Sequence, residues 1–244
     1  MFELLTVFMV KEDRNKYVDF VSDEHFLKCV KHVYSAYVTK TDKRDMKRFT
    51  KNSLDMFKTL FDIKVAGLGV DEWMDIEQVR QADKTISNKV GEFHQMLLGG
   101  VDGWEDLGVG HPLGVDLKNK QETIFIELKN KHNTVTKVNL KVIFDKLKNV
   151  LDKYPKAIAY YAYIIPEKPN SGERVWKISH RDTDDRIREI WGFNLYELVT
   201  GDKNALRKVW AAIPKTLNDL SEGKQLSQED IDKLEELFKL TFGS

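Results

Sequence analysis

The first hundred residues carry apolar side chains at helical spacing. Asp23 is expected to cap a helix whose inward side carries Phe26, Leu27, Val30, Val33, Tyr34 and Tyr37. A second helix is predicted over about 43–61, before Gly67-Leu68-Gly69, and a third over 87–98, before Gly99-Gly100. This part of the chain is therefore predicted to be mainly helical.

The pattern changes after residue 100. Closely spaced glycines and a proline between 103 and 114 predict an irregular loop, and strands are expected at about 115–117 and 122–129, as a hairpin. A helix follows Asn133 and Thr134, one of which is expected to cap it. The run 157–165 is apolar on both faces, as in a central strand of a sheet covered on both sides, and a shorter strand is expected at 175–178.

The remaining segments are predicted to be helices, at about 184–190, 195–199 and 204–212, with a last one that begins at Ser227. This order of elements indicates an α/β fold, in which a mixed central β-sheet is flanked by helices. No linker is evident. We therefore expect a single domain with a mainly helical N-terminal part (1–86), a core (87–212) and C-terminal helices (213–244).

Composition supports a soluble globular protein, since 41% of the 244 residues are hydrophobic and 32% are charged. The apolar run at 4–10 is short and has no basic segment before it, which favours a buried element over a signal peptide. The single Cys29 excludes an internal disulfide and disfavours a thiolate metal cage. We expect a cytoplasmic protein without a membrane span.

The formal net charge is zero, which is a mild argument against nucleic acid as a partner. The charges are nevertheless segregated. Basic residues cluster at 40–51 and again around the predicted hairpin, while the C-terminal stretch is acidic. Such segregation permits a basic groove on a neutral protein, although the cluster at 40–51 also suits an ordinary solvated helix face.

Two acidic residues and a lysine in the predicted hairpin give the strongest chemical signal. Glu127 and Lys129 end an apolar strand and project to one face, while Ile126 and Leu128 face the core. With Asp116 on the partner strand, two carboxylates and an ammonium suit a divalent ion with a cation beside it, as in a metal-dependent phosphodiesterase. A solvated hairpin edge is the equal alternative, because acid-x-Lys triplets recur in this charged chain.

In the functional interpretation, Asp116 and Glu127 hold Mg²⁺ with the Leu128 carbonyl. Lys129 orients or deprotonates the attacking water, or stabilises developing charge. A rival metal set on the neighbouring loop and strand consists of Asp102 or Asp106, with Asp116 and Lys118.

The glycine-rich loop, an aspartate on one strand and Glu-Leu-Lys about ten residues later resemble the PD-(D/E)XK nuclease superfamily. Val115-Asp116 stands where that motif has Pro-Asp. The runs at 127–134 and 190–201 also resemble type II restriction endonucleases, in particular the group that cuts GGNCC or GGWCC. The resemblance spans about 88–210.

The resemblance implies a restriction-endonuclease-like fold and a Mg²⁺-dependent homodimer that cuts both strands of double-stranded DNA at a short palindrome. It implies 5′-phosphate and 3′-hydroxyl ends, and a cognate methyltransferase that protects host DNA. It also adds Glu92, on the preceding helix, to the metal ligands. Phosphate contacts are expected after the catalytic strand, from Asn130, Lys131, His132, Asn133 and Thr134.

A second segment, at 177–188, is dense in groups able to read base edges, because arginine can bond guanine and an acidic side chain can accept from cytosine. A G·C-rich target would use both. The candidate contacts are Lys177, Ser179, His180, Arg181, Asp182 and Arg186.

Each assignment has a structural alternative. Glu92 also suits an exposed helix position, and segment 177–188 suits a capped helix start with an Asp184–Arg188 ion pair. The functional alternatives are a structure-specific or repair nuclease of the same fold and a non-catalytic DNA-binding protein.

Overall fold

A mixed six-stranded sheet organises the residues described by the computed structural model, which are 15–38, 54–221 and 226–243. In chain order the strands are β1 (Trp104–Asp106), β2 (Leu117–Asn119), β3 (Ile124–Lys131), β4 (Ile158–Ile165), β5 (Gly172–Val175) and β6 (Ile187–Trp191). Their order across the sheet is β1-β2-β3-β4-β6-β5. Strands β3, β4 and β6 are parallel, and the other three pair antiparallel to their neighbours.

The described helices are α1 (Asp23–Val38), α2 (Met56–Ala66), α3 (Val70–Gly99), α4 (Lys137–Lys153), α5 (Phe193–Thr200), α6 (Ala205–Leu220) and α7 (Gln228–Phe242). Three of them precede the first strand, which confirms both the α/β fold class and the helical N-terminal part. None of these helices is both long and apolar enough to cross a membrane. The division into one domain stays a prediction.

Alternation along β3 assigns its side chains to two different layers. Ile126 and Leu128 join the apolar cluster formed with α1, α3, α5 and α6. Phe125 joins the cluster on the opposite face, which is covered by α4. Because side chains alternate along a strand, Glu127 and Lys129 share the α4 face, as the sequence predicts.

Several element boundaries agree with the expectations. The hairpin of β2 and β3 forms as predicted, although its strands begin two residues later than expected. The apolar run at 157–165 is the interior strand β4, flanked by β3 and β6. Gly67 ends α2 in a left-handed conformation (φ 69°), and Ser227 with Asp230 forms a capping box on α7.

The predicted helix at 184–190 is wrong. Residues 187–190 belong instead to β6, which is hydrogen-bonded to β4 on one side and to β5 on the other. The buried Ile187 and Ile190 gain more from two neighbouring strands than from local helical contacts. The strand expected at 175–178 is also misplaced, because β5 ends at Val175.

Other boundaries need smaller corrections. Helix α3 begins at Val70 rather than 87. Ser22, rather than Asp23, accepts the backbone N–H of His25 at the start of α1. Thr136, rather than Asn133 or Thr134, caps α4. The apolar run at 4–10, the basic cluster at 40–51 and most of the predicted helix at 43–61 lie outside the described residues.

Candidate active site

The β2–β3 hairpin holds Asp116 in place opposite β3. Asp116 directly precedes β2, and its backbone N–H donates to the Ile126 carbonyl at 2.9 Å. Its carboxylate Oδ2 accepts the backbone N–H of Leu128 at 2.6 Å. Two hydrogen bonds to β3 therefore fix the position of Asp116 beside Glu127, which is the neighbour of Leu128 in the chain.

Three oxygens, one each from Asp116, Glu127 and Leu128, lie around the Lys129 ammonium. Its Nζ lies 2.6 Å from Glu127 Oε1 and donates to the Leu128 carbonyl at 3.0 Å. The Asp116 Oδ2 is 3.8 Å from the same nitrogen. The structure thus brings together the two carboxylates, the carbonyl and the lysine named from the sequence.

Negative charge at this site is only partly compensated. Burial, followed by the nearby Glu127 carboxylate, raises the pKa of Asp116 to about 6, against the opposing effects of Lys129 and the Leu128 N–H. Glu127 is itself buried, with 6% of its surface exposed. Two crowded carboxylates and a carbonyl are the hard oxygen donors that Mg²⁺ prefers, so the residues present fit this metal.

A cleft of about 350 Å³ opens beside Glu127 and Lys129. Its other wall comes from α4 and the loop before it, through Thr134, Val135, Asn139, Val142, Ile143 and Lys146. Lys146 also acts electrostatically on Asp116. Lys146 is not among the residues named from the sequence, and the signal that could have found it is its position beside the buried Ile143, Phe144 and Leu147 of α4.

The segment that begins at the end of β3 carries polar atoms without hydrogen-bond partners among the described residues. Asn130 Oδ1 and His132 Nδ1 are buried and have no hydrogen-bond partner within the described part of the chain. Lys131 and Asn133 are exposed, and the Thr134 hydroxyl donates to the Lys131 carbonyl at 3.0 Å. These five residues directly follow Lys129, next to the cleft.

Segment 177–188 holds its two candidate base-reading arginines, Arg181 and Arg186, in ion pairs. Nε and Nη2 of Arg181 each donate to the Asp145 carboxylate at 2.6 Å. Arg186 donates to Asp184 and to the Pro155 carbonyl. Base reading by either arginine would require breaking these contacts.

The two arginines also differ in position. Arg186 precedes β6, while Lys129 lies near the C-terminal end of β3, which runs parallel to β4 and β6. Arg186 is therefore at the opposite end of the sheet from Lys129. Lys177, Ser179, His180, Arg181 and Asp182 form an exposed stretch before it. The expected Asp184–Arg188 ion pair does not form, because Arg188 binds Glu173 instead.

Glu92 is directed away from the two carboxylates. It accepts from His32 Nε2 at 2.6 Å and from Lys89 at 2.8 Å. Helix α3 packs on the face of the sheet that carries Ile126 and Leu128, not on the face of Glu127. The expectation that Glu92 joins the metal ligands is therefore not met in this arrangement, and Glu92 occupies the exposed helix position given as its alternative.

The rival metal set is dispersed. Asp102 pairs with Lys120, Asp106 accepts from Gln95, and Lys118 pairs with Glu122. In the ranges that the structure describes, no three His, Cys, Asp or Glu side chains come together as a possible metal site. The hairpin pair Asp116 and Glu127, with the Leu128 carbonyl, is therefore the better candidate.

Comparison with known proteins decides the family. A family model described as Eco47II restriction endonuclease matches residues 18–222, which include the whole hairpin and cleft. The chain belongs to this family. Type II restriction enzyme Sau96I of Staphylococcus aureus is 35% identical over 222 residues, which cover 86% of this chain and 84% of the relative. Type II restriction enzyme Eco47II of Escherichia coli is 35% identical over 241 residues, covering 93% and 99%.

Membership of the Eco47II family confirms the resemblance to type II restriction endonucleases that the hairpin motif indicates. This family member is therefore a site-specific deoxyribonuclease, which acts on double-stranded DNA. The matches cover 84% of one relative and 99% of the other, so the similarity is not confined to a short shared segment.

Proposed function

We propose that the protein is a Mg²⁺-dependent homodimer that cuts both strands of DNA at a short G·C-rich palindrome of the GGNCC or GGWCC kind. Its products carry 5′-phosphate and 3′-hydroxyl ends. The observation that carries the proposal is the convergence of Glu127, the Leu128 carbonyl and Asp116 around Lys129. A cognate methyltransferase that modifies the same site would protect host DNA, and the enzyme would act in the cytoplasm.

Asp116, Glu127 and the Leu128 carbonyl are the groups that would hold the metal. Bound there, Mg²⁺ supplies a Lewis acid for the scissile phosphate and lowers the pKa of a bound water. The Leu128 N–H keeps the Asp116 carboxylate oriented toward β3 throughout the reaction, since it donates at 2.6 Å. Pre-oriented ligands of this kind reduce the reorganisation required during catalysis.

Lys129 contributes positive charge on the cleft side of the two carboxylates. Its ammonium is positioned by Glu127 and by the Leu128 carbonyl, so little side-chain freedom is lost when DNA binds. Facing the cleft, it orients the attacking water or stabilises the charge that develops on the phosphate.

DNA contact is assigned to two segments. Asn130, Lys131, His132, Asn133 and Thr134 bind the phosphates next to the cut, and the unpartnered atoms of Asn130 and His132 support this assignment. The exposed stretch of Lys177, Ser179, His180, Arg181 and Asp182 contacts bases, with Arg181 leaving Asp145 for guanine. Arg186 is not included, because Asp184 and Pro155 engage it at the other end of the sheet.

The direct test incubates the protein with Mg²⁺ and a plasmid of known sequence. The proposal predicts discrete fragments whose ends map to one short sequence. Asp116→Ala and Glu127→Ala are expected to abolish cutting while sparing DNA binding measured with Ca²⁺. Glu105→Ala is the matched control, since Glu105 is an exposed carboxylate of the same sheet edge.

Three other outcomes would contradict the proposal. Nicks confined to junctions or lesions would identify a structure-specific or repair nuclease. Binding without any cutting would identify a non-catalytic DNA-binding protein. Undiminished cutting by both alanine variants would move the metal site away from the hairpin.

A further inference from the structure

Helix α2 and the first part of α3 form a projection, here called the helical arm (residues 54–89). The buried residues of α3 fall in two groups, Trp73 and Glu77 under α2, and Phe93, Leu97 and Leu98 in the core. No residue between 78 and 92 is buried. At 1.5 Å per helical residue, Trp73 lies about 36 Å along the helix from Leu97. The arm therefore extends well past the core.

The arm turns its apolar face outward. On α2, Phe57 is 82% exposed, Phe61 69% and Val65 82%, and their spacing of four residues places them on one side of the helix. Thr59, on the opposite side, is buried against α3. Other exposed apolar residues of the arm are Met56, Leu60, Val70, Ile76 and Val79.

The exposed apolar area of the arm matches the size of a protein interface. These eight side chains expose on the order of 900 Å² together, close to the roughly 800 Å² that one partner contributes to a standard interface. The largest apolar patch on a typical monomer is smaller, at roughly 300–600 Å². Phe57, Phe61 and Val65 form one side of this area, and the remaining five side chains are distributed over the two helices of the arm.

Charge argues against DNA as the occupant. Residues 54–89 contain seven acidic and five basic side chains, a net charge of −2. A surface that neutralises phosphates needs the opposite sign. An apolar face on an acidic arm suits a protein partner instead.

The arm leaves the core at the catalytic end of β3. A Cβ atom at Gly91 would lie 3.8 Å from Asn130 Cβ, while Gly99 packs against Asp106 of β1. Helix α3 thus runs from β1 past the C-terminal end of β3 and into the arm. The cleft opens on the opposite face, toward α4, so a partner on the arm would leave it accessible.

We propose that the outward face of the arm, centred on Phe57, Phe61 and Val65, binds the same face of a second copy of this chain. The inference deepens the proposed function, because cutting both strands calls for two catalytic sites and each chain has one hairpin site. A two-fold contact buries the same patch on both copies.

The test compares the wild type with Phe57→Glu/Phe61→Glu by sedimentation velocity over a range of protein concentrations. The wild type is expected to be a dimer, and the variant's dissociation constant should rise at least a hundredfold. Leu237→Glu/Leu240→Glu on α7 is the matched control, since both leucines are also exposed (58% and 66%), and it should stay dimeric. Circular dichroism verifies that each variant is folded.

If the double glutamate variant does not fold, Phe61→Cys with a bifunctional maleimide replaces it, and Leu240→Cys serves as its control. Covalent dimers from Phe61→Cys alone support the proposal. A dimer unaffected by the arm variants overturns the choice of surface, and a wild type that is monomeric throughout overturns the second copy. Parallel plasmid cleavage by the wild type separates these outcomes from a failure of the proposed function, which would show as no cutting.

Discussion

Asp116 and Asp184 are half-buried aspartates that lie before strands β2 and β6 of the same sheet, and their surroundings differ. Asp184 accepts from the backbone and guanidinium of Arg186 and from Lys148 at 3.0 Å. These bonds, that of the Arg186 side chain first, hold the pKa of Asp184 well below its usual range. Asp116 shares one lysine with Glu127, and burial raises its pKa to about 6.

This difference distinguishes a carboxylate that stabilises the fold, Asp184, from one that is suited to bind a metal, Asp116. Asp184 is stabilised by its partners, which is what a carboxylate that holds a fold together requires. Asp116 and Glu127 keep two carboxylates near one ammonium, at a cost to stability that the proposed metal cation would offset. We therefore infer function from carboxylate charge that the neighbouring groups do not fully neutralise. The number of charged residues does not distinguish the two aspartates, because it is similar around both.

Asp116→Asn should give the largest effect. Cleavage is expected to fall at least ~1000-fold, since removal of a metal ligand forfeits several kcal/mol of transition-state stabilisation. Thermal stability should be unchanged or higher, because one of two crowded carboxylates is gone. Cleavage rates and thermal unfolding of the same preparation check both points. Cleavage by this variant at more than a tenth of the wild-type rate would contradict the assignment of Asp116 as a metal ligand.

Lys129→Met tests the only ammonium within 4 Å of both hairpin carboxylates among the described residues. The cleavage rate at saturating DNA is expected to drop about a hundredfold, the size of effect that a positioned proton-transfer or charge-stabilising group supplies. Lys148→Met, which removes a partner of Asp184, is the control and should cut within about twofold of the wild type, as expected for a surface change. Equal cleavage rates for Lys129→Met and Lys148→Met would contradict the assignment of Lys129 to the active site.

His94 is a third titratable group whose pKa is shifted by burial, and it lies on the face of the sheet opposite to Glu127 and Lys129. Its Nδ1 lies 2.7 Å from the Tyr196 hydroxyl, and burial lowers the pKa of His94 to about 4. Because the unfolded chain takes up this proton near pH 6.5, stability should fall as pH drops from 6.5 toward 4, by about 2 kcal/mol between pH 7 and pH 5. Denaturant unfolding at both values measures the loss. His94→Gln should lose less over that interval, and an identical loss would rule out His94 as its source.

Asp184→Asn should have the smallest effect, and on stability alone. Loss of the charge shared by Arg186 and Lys148 is expected to lower the free energy of unfolding by about 1–2 kcal/mol. Cleavage should stay within about twofold of the wild type, as for other substitutions remote from the site. Urea unfolding and the plasmid assay measure the two quantities. A large loss of cutting with normal stability would place Asp184 in the catalytic machinery.

The sequence predicts the site better than the sheet around it. Glu127 and Lys129 are found because an apolar strand fixes which side chains share a face, and the hairpin partner Asp116 is close in the chain. Strand β6 is missed because Arg186 to Trp191 has the composition of an amphipathic helix, and its partners β4 and β5 are set by tertiary pairing. The structure does not bring Glu92 to the hairpin carboxylates, because the direction of a helical side chain depends on helix rotation, which places it beside His32.

Measuring metal binding tests whether Asp116 and Glu127 hold the ion. Mn²⁺, used in place of Mg²⁺, can be titrated into the DNA-free protein and followed by electron paramagnetic resonance. We predict saturable binding by the wild type and by Asp184→Asn. Asp116→Asn and Glu127→Gln should each bind Mn²⁺ at least tenfold more weakly, because each variant has lost one carboxylate ligand. Equal affinity in all four proteins would show that the hairpin carboxylates do not hold the metal.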